Sequence, residues 1–107
     1  MRFLLVGAGA VGQAYGRHLQ LGGAEIGFLV RPKYAKAAHA GFDLYPLNRR
    51  SPRKEPVRLE KFEVLTAPGG RWDVVILCVS STALREGAWL AELLRALPDA
   101  TLVTLQP

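Results

Sequence analysis

The apolar residues of this chain occur in two kinds of run. Residues 3–6 and 74–79 are apolar throughout, as strands are when both faces of a parallel sheet are covered. Residues 10–21 instead carry apolar side chains at helical spacing, which predicts an amphipathic helix directly after the first strand. The helical positions are Val11, Tyr15 and Leu19, with Ala14 as the small residue expected against the sheet and Gly22 and Gly23 closing the helix.

Further helices and strands are predicted from the positions of proline and glycine and from the alternation of apolar and polar residues. A strand over 24–30 ends at Arg31-Pro32, because proline cannot donate to a ladder and suits the first turn of a helix. We expect that helix over 33–40, closed by Gly41.

Apolar and polar residues alternate over 42–47 and over 57–66, which predicts two antiparallel strands joined by the loop 48–56. We expect the segment 62–65 to join the main sheet beside the second strand.

The last third of the chain predicts one more strand–helix–strand unit. Residues 67–70 read as a turn before the strand 74–79, and Ser80, Ser81 and Thr82 can cap a helix over 83–97 that Pro98 ends. Residues 101–105 form the final predicted strand. The inward stripe expected on the helix is Ala83, Gly87, Leu90, Leu94 and Leu97.

Strands that alternate with helices imply right-handed crossovers and a covered parallel sheet. The fold class predicted is therefore α/β: a Rossmann-like, doubly wound, mostly parallel sheet with an inserted antiparallel hairpin. We expect residues 1–107 to form a single domain of the type that binds dinucleotides.

The chemistry predicted for this sheet begins at its first strand, which runs directly into Gly-x-Gly-x-x-Gly. In a dinucleotide site the first glycine permits the turn, the second lets a pyrophosphate approach the backbone, and the third lets helix and strand pack closely. The first-turn N–H groups, including those near Ala10 and Val11, face the phosphates. Two alternatives stay open: a tight turn without ligand, and FAD or another adenine-bearing ligand. The cofactor-binding residues expected here are Gly7, Gly9, Ala10, Val11 and Gly12.

Arg31 stands about 20 residues after the glycine loop, where an NAD-binding domain carries an acidic residue for the ribose 2′-hydroxyl. A guanidinium grips a 2′-phosphate through charge-assisted hydrogen bonds. The position favours NADP over NAD, the alternative being a solvated surface charge. Ser80 either caps the next helix or places a hydroxyl near the cofactor.

The chain's net charge of +5 comes mainly from one segment, residues 49–61, which carries six basic residues against two acidic ones. This segment lacks interleaved aromatic residues, so a solvated hairpin tip is favoured over a nucleic-acid site. The single cysteine, Cys78, lies in an apolar run and is expected to be an inert core thiol in a reducing, cytoplasmic setting. No run is long enough for a transmembrane helix. His18 and His39 have no partners at ligand spacing, so we assign no metal site and no catalytic residue.

Five segments together resemble the amino-terminal domain of the ketopantoate reductase family. That resemblance implies NADPH-dependent reduction of a small 2-oxo acid, with the catalytic lysine on a second, helical domain that is absent from this chain. This sequence departs from the family pattern at Ser80, where the family commonly has a lysine, and at Pro107, where the family has an asparagine. The segments are LVGAGAVG (5–12), FLVR (28–31), GFDL (41–44), DVVILCV (73–79) and TLVTLQ (101–106).

The leading hypothesis is therefore the NADP(H)-binding domain of such a reductase, inactive as this chain alone. A non-catalytic dinucleotide-binding module is the alternative, and a basic interaction domain acting through residues 49–61 is less favoured. Apolar surface left by a missing second domain is compatible with a homo-oligomer.

Overall fold

The computed structural model describes residues 1–44, 57–79 and 88–104. Strands and helices alternate over the first forty residues, and four strands then follow one another before the last helix. In chain order they are β1 (Arg2–Val6), α1 (Ala10–Leu21), β2 (Glu25–Leu29), α2 (Pro32–His39), β3 (Phe42–Leu44), β4 (Val57–Leu59), β5 (Glu63–Leu65), β6 (Val74–Leu77), α3 (Ala88–Ala96) and β7 (Thr101–Thr104).

Five strands form one parallel sheet in the order β5-β2-β1-β6-β7. The chain moves outward from β1 through β2 to β5, and then returns to the other side of β1 through β6 to β7. The order therefore reverses between β1 and β6, and the crevice at the carboxyl ends of these two strands is where doubly wound sheets bind ligands. The predicted fold class is confirmed.

The inserted hairpin is also present, since β3 and β4 pair antiparallel in a separate two-stranded sheet. The alternating run predicted over 57–66 is divided by Lys61, whose φ of 63° breaks the strand direction. Its second part, β5, pairs with β2 in the main sheet, as expected. The rest of the hairpin, including most of the basic loop, lies outside the described residues.

Two hydrophobic clusters cover the two faces of the sheet. Leu5, Phe28 and Ile76 point to the side of α1, α2 and the hairpin, and Leu4, Val75 and Leu77 point to the side of α3. Adjacent residues of β1 thus enter opposite clusters, because side chains alternate along a strand. This confirms that β1 and β6 are strands buried on both faces.

Helix α1 has the predicted bounds, but it buries a different face. Val11 and Tyr15 are 53% and 45% exposed, and Ala14 is exposed as well, so the expectation that Ala14 meets the sheet is wrong. Gly16 lies there instead: a Cβ on it would stand 3.0 to 3.2 Å from side-chain atoms of Phe28, Ile26 and Leu5. Helix and sheet approach so closely here that a side chain at position 16 would require these three neighbours to shift.

Helix α3 corrects the predicted inward stripe in a similar way. Leu94 is 44% exposed, whereas Leu93, one residue earlier, is 1% exposed and packs in the core with Leu97. The helix ends at Ala96, just before Pro98, as expected. Ala83 and Gly87 lie outside the described residues, as does the side chain of Leu90.

Candidate nucleotide-binding cleft

A cleft of about 640 Å³ opens at the carboxyl edge of the sheet. Its walls come from the chain segments that leave four parallel strands: the glycine loop after β1, the segment 29–32 after β2, the segment 66–68 after β5, and Val79 after β6. Parallel pairing brings these segments together, because every strand of a parallel sheet ends at the same edge. The hydrogen bond from Val30 N to Leu65 O, 2.9 Å long, joins the ends of β2 and β5 at this edge.

Two glycines of the loop are required by the protein's own packing. Gly7 has a φ of +99°, and a Cβ there would lie 3.0 Å from Val79 Cγ1 and 3.2 Å from Cys78 O. Only glycine adopts such a backbone conformation without strain. On Gly12 a Cβ would collide with the carbonyl oxygen of Gly7. These two residues let the chain turn off β1 and let α1 start directly against it.

Gly9 differs from both. Its φ of −75° and ψ of −174° suit any residue, and a Cβ built on it meets nothing within 4 Å. It is the N-cap of α1 but offers no side-chain oxygen, although serine, threonine, asparagine or aspartate would cap the helix better. Neither strain nor crowding in the described structure therefore explains a glycine here.

The amino terminus of α1 starts at Gly9, which lines the cleft. The helix begins with the hydrogen bond from Gln13 N to Gly9 O, 3.0 Å long, so the preceding N–H groups have no acceptor within the helix. Its first turn contains no acidic residue. A bound anion at this end would accept hydrogen bonds from these amides and would interact favourably with the helix dipole.

Arg31 lies on the same cleft, at the N-cap of α2 with Pro32 in the first turn. Its side chain forms no capping bond, and no ion pair joins it to any residue the structure describes. The acidic residues nearest in sequence are engaged elsewhere: Glu25 pairs with Arg2 at 3.4 Å, and Asp43 pairs with Arg58 at 3.1 Å. The guanidinium is thus available to an external anion.

The structure brings some of the predicted site residues together. Gly7, Gly9 and Arg31 line one cleft. Val11 and Gly12, in the first turn of α1, are not among the described residues that line it. Ala10 begins α1, and its side chain lies outside the described part of the chain, as does the whole of Ser80.

Sequence reasoning missed the far wall of the cleft. Tyr34 of α2, Pro68 after β5 and Glu92 of α3 also line it. Tyr34 could have been found from its place three residues after Arg31, and Pro68 from the pairing of β5 beside β2. No sequence signal pointed to Glu92.

The remaining candidates take no part in the cleft. Cys78 follows β6, is half-buried, and has its pKa raised by burial from the ordinary 9.0 to about 11, which agrees with an inert thiol. His18 and His39 are exposed, and the described residues contain no cluster of metal-binding side chains. Among the helices described, none has the length and apolar character needed to cross a membrane.

A protein-family model matches nearly the whole chain, including the residues that line the cleft. The family model described as ketopantoate reductase PanE/ApbA matches residues 3–106. No curated protein sequence gives a significant match.

Solved structures similar to this chain include two reductases of that family. The 2-dehydropantoate 2-reductase of Geobacter metallireducens GS-15 has a TM-score of 0.76 at 29% identity. The PanE/ApbA family ketopantoate reductase of Ralstonia eutropha JMP134 has a TM-score of 0.77, also at 29% identity. Each match covers 99% of this chain and 34% of the other, so the chain spans about a third of their length.

Yersinopine dehydrogenase, solved with NADP+ bound, is similar over 94% of this chain and 26% of its own, with a TM-score of 0.71. At 19% identity that likeness shows the fold alone.

Proposed function

The chain belongs to the ketopantoate reductase family, and we propose that it is the NADP(H)-binding domain of a reductase that acts on a small 2-oxo acid. The glycine loop and the first turn of α1 hold the pyrophosphate, and Arg31 holds the 2′-phosphate. The bound cofactor supplies the hydride. This chain's own contribution is to bind and orient it, and no described residue is assigned as the acid or base of the reaction.

One observation carries this proposal: Gly9 has open space where a side chain would stand. Packing explains a glycine when a neighbouring atom leaves no room for a Cβ, but Gly9 has no such neighbour. It faces the cleft beside the amides of α1. A pyrophosphate that must approach the backbone closely would occupy the space a Cβ would fill.

The preference for NADP over NAD rests on charge. A carboxylate at the end of β2 would accept hydrogen bonds from ribose hydroxyls and repel a 2′-phosphate. This chain has Arg31 there, and the acidic residues nearest in sequence form ion pairs with other arginines. Yersinopine dehydrogenase, solved with NADP+ bound, is an example of a protein of this fold that accepts NADP.

The test is a valine at position 9. Gly9→Val should lower the affinity for NADPH at least about 100-fold, since several charge-assisted hydrogen bonds of about 1.5–3 kcal/mol each are lost when the phosphate is pushed away. Titration calorimetry with NADPH measures this, and circular dichroism checks the fold.

Two further variants make the result decisive. Gly22→Ala is the matched control, because it changes a glycine at the other end of α1 where an added Cβ meets only ordinary contacts of 3.5 and 3.7 Å; its NADPH affinity should be unchanged. Gly9→Ser provides a side-chain cap and should raise stability by a few tenths of a kcal/mol while still weakening NADPH. Unchanged NADPH affinity in a folded Gly9→Val protein would refute the phosphate loop.

A further inference from the structure

We propose that the adenine ring of the nucleotide stacks on Tyr34, with the ammonium group of Lys33 held against the opposite face of that tyrosine. The proposal rests on the proposed function and adds to it a residue that determines where the purine is placed. It concerns the part of the cleft that the first and second turns of α2 form.

Tyr34 is fixed in position by the backbone of α2. Its N–H donates to the carbonyl oxygen of Arg31 at 2.9 Å, so the tyrosine and the arginine belong to one helical turn. The ring lines the cleft and yet is 53% exposed. A half-exposed tyrosine is unremarkable on a surface, but this one stands directly beside the residue proposed to hold the 2′-phosphate.

Lys33 defines the two faces of the ring. Its Nζ lies 4.9 Å from the centroid of Tyr34, within the range of a cation–π contact. Lys33, unlike Tyr34, is not among the described residues that line the cleft. The proposal accordingly assigns the ammonium group to the face of the ring away from the cleft and the purine to the face toward it.

The surroundings of that open face suit a purine. Ala37, Ala38 and Phe42 lie on the same side of the cleft as Tyr34, and Ala67 and Pro68 lie on the side formed after β5. These side chains are apolar, and several of them are small, which leaves flat space. The proposal assigns the pyrophosphate to the backbone amides near Gly9, the 2′-phosphate to Arg31 and the base to these apolar side chains.

The experiment uses two ligands that share the adenosine end, NADPH and 2′,5′-ADP, and measures dissociation constants at one salt concentration. Tyr34→Ala should weaken both ligands by the same factor, about 5- to 100-fold, which is the range measured for stacking of a base on an aromatic side chain. Tyr34→Phe keeps the ring and should stay within about twofold of the wild type.

Two more variants isolate the ring as the cause. Tyr15→Ala is the matched control, since Tyr15 is a half-exposed tyrosine of α1 that does not line the cleft; both affinities should be unchanged. Lys33→Met removes the cation behind the ring and should weaken NADPH and NADH by the same small factor, about two- to fivefold. A loss for NADPH alone would mean that Lys33 contacts the 2′-phosphate directly, and it would overturn the arrangement proposed here.

The outcomes separate this proposal from the function it rests on. If the wild-type chain binds NADPH and Tyr34→Ala leaves both dissociation constants unchanged, the purine does not stack on Tyr34 while the nucleotide site stands. An equal loss in Tyr34→Phe and Tyr34→Ala would assign the contact to the hydroxyl and also overturn the stacking. If the wild-type chain binds neither ligand, the proposed function fails and this inference fails with it.

Discussion

An arginine lies at the amino edge of the parallel sheet, where its strands begin, and another lies at the carboxyl edge, where they end. The two arginines differ in their interaction partners. At the amino edge, the side chain of Arg2 pairs with Glu63 at 2.7 Å and with Glu25 at 3.4 Å, and its guanidinium lies 4.4 Å from the centroid of the Trp72 ring. Its backbone N–H donates to Asp73 Oδ2 at 2.7 Å. At the carboxyl edge, Arg31 has no such partner among the described residues.

The difference separates a charged group that is paired within the protein from one that is available to a ligand. The amino edge joins the ends of neighbouring strands through one side chain, so its charges serve the fold. The carboxyl edge exposes a cation, two helix amino termini and a glycine without a packing reason. Unpaired charge and helix amino termini gathered around one cleft are typical of a binding site.

The largest expected effect is at the amino edge and concerns stability. Trp72 is buried, donates its Nε1–H to Gly69 O at 2.7 Å, and lies so close to β2 that a Cβ on Gly27 would stand 2.5 Å from its ring. Trp72→Ala should reduce the free energy of unfolding by about 3–5 kcal/mol, a large part of the roughly 5–15 kcal/mol typical of a domain. Urea denaturation measures this change.

Trp72→Phe is the milder companion, because it keeps an aromatic ring and removes the indole hydrogen bond; we expect a loss of about 1 kcal/mol. Its NADPH affinity should equal that of the wild type. Weakened NADPH binding in this folded variant would contradict the separation of the two edges.

The next effect in size is on cofactor choice at the carboxyl edge. Arg31→Ala should weaken NADPH by roughly one to two orders of magnitude, since a charge-assisted contact to phosphate contributes about 1.5–3 kcal/mol. NADH should be nearly unaffected because it lacks the 2′-phosphate. Arg31→Asp should reverse the preference, because a carboxylate repels the phosphate and accepts hydrogen bonds from ribose hydroxyls.

Dissociation constants for NADPH and NADH, measured for both variants at one salt concentration, check the prediction for Arg31. The unfolding free energy should remain within about 0.5 kcal/mol of the wild type, as is usual for surface substitutions. An equal loss for both cofactors, or a loss for neither, would show that Arg31 does not contact the 2′-phosphate.

Arg2→Ala is the counterpart at the opposite edge and should give the opposite pattern. Surface ion pairs contribute about 0.2–1 kcal/mol each, so the loss of the Arg2 network should reduce the unfolding free energy by about 1 kcal/mol. The affinities for NADPH and NADH should not change. If Arg2→Ala alters the preference between the cofactors, the edges are coupled and the comparison drawn here does not hold.

Much of this arrangement could be predicted because it depends on neighbours in the sequence. The glycine loop, the helix that follows it and the break at Arg31-Pro32 each involve a few consecutive residues, and α1 has the predicted bounds. Hydrophobic periodicity failed where close packing uses glycine: Gly12 and Gly16 carry no hydrophobic signal, so Val11 and Tyr15 marked the wrong face of α1.

Other features depend on residues far apart in the chain and could not be predicted locally. The run of leucines in α3 fits helical spacing through either Leu93 or Leu94, and only packing against the sheet selects Leu93. The far wall of the cleft forms because β5 pairs with β2 and brings Pro68 to the edge that Arg31 occupies. Glu92 reaches the same cleft from α3, and no local pattern in the sequence pointed to it.

The smallest expected effect concerns Cys78, and it tests how well the residues beside the glycine loop are shielded from water. Cys78 follows β6, and a Cβ on Gly12 would lie 3.4 Å from the Cβ of Cys78. Burial raises the pKa of its thiol to about 11, against an ordinary value of 9.0. The unfolded chain therefore loses this proton at lower pH than the folded one, so stability should be unaffected below pH 9 and should fall as the pH rises from 9 to 11.

Alkylation reports the same property, because Cys78 is the only cysteine in the chain. At pH 8 the folded protein should react with iodoacetamide roughly 100-fold more slowly than an unhindered thiol, since only the thiolate is nucleophilic, and the rate should rise up to about pH 11. Cys78→Ala should remove this contribution to the pH dependence of unfolding. Fast alkylation at pH 8 would mean that water reaches the Cys78 thiol, and it would contradict the burial of this residue.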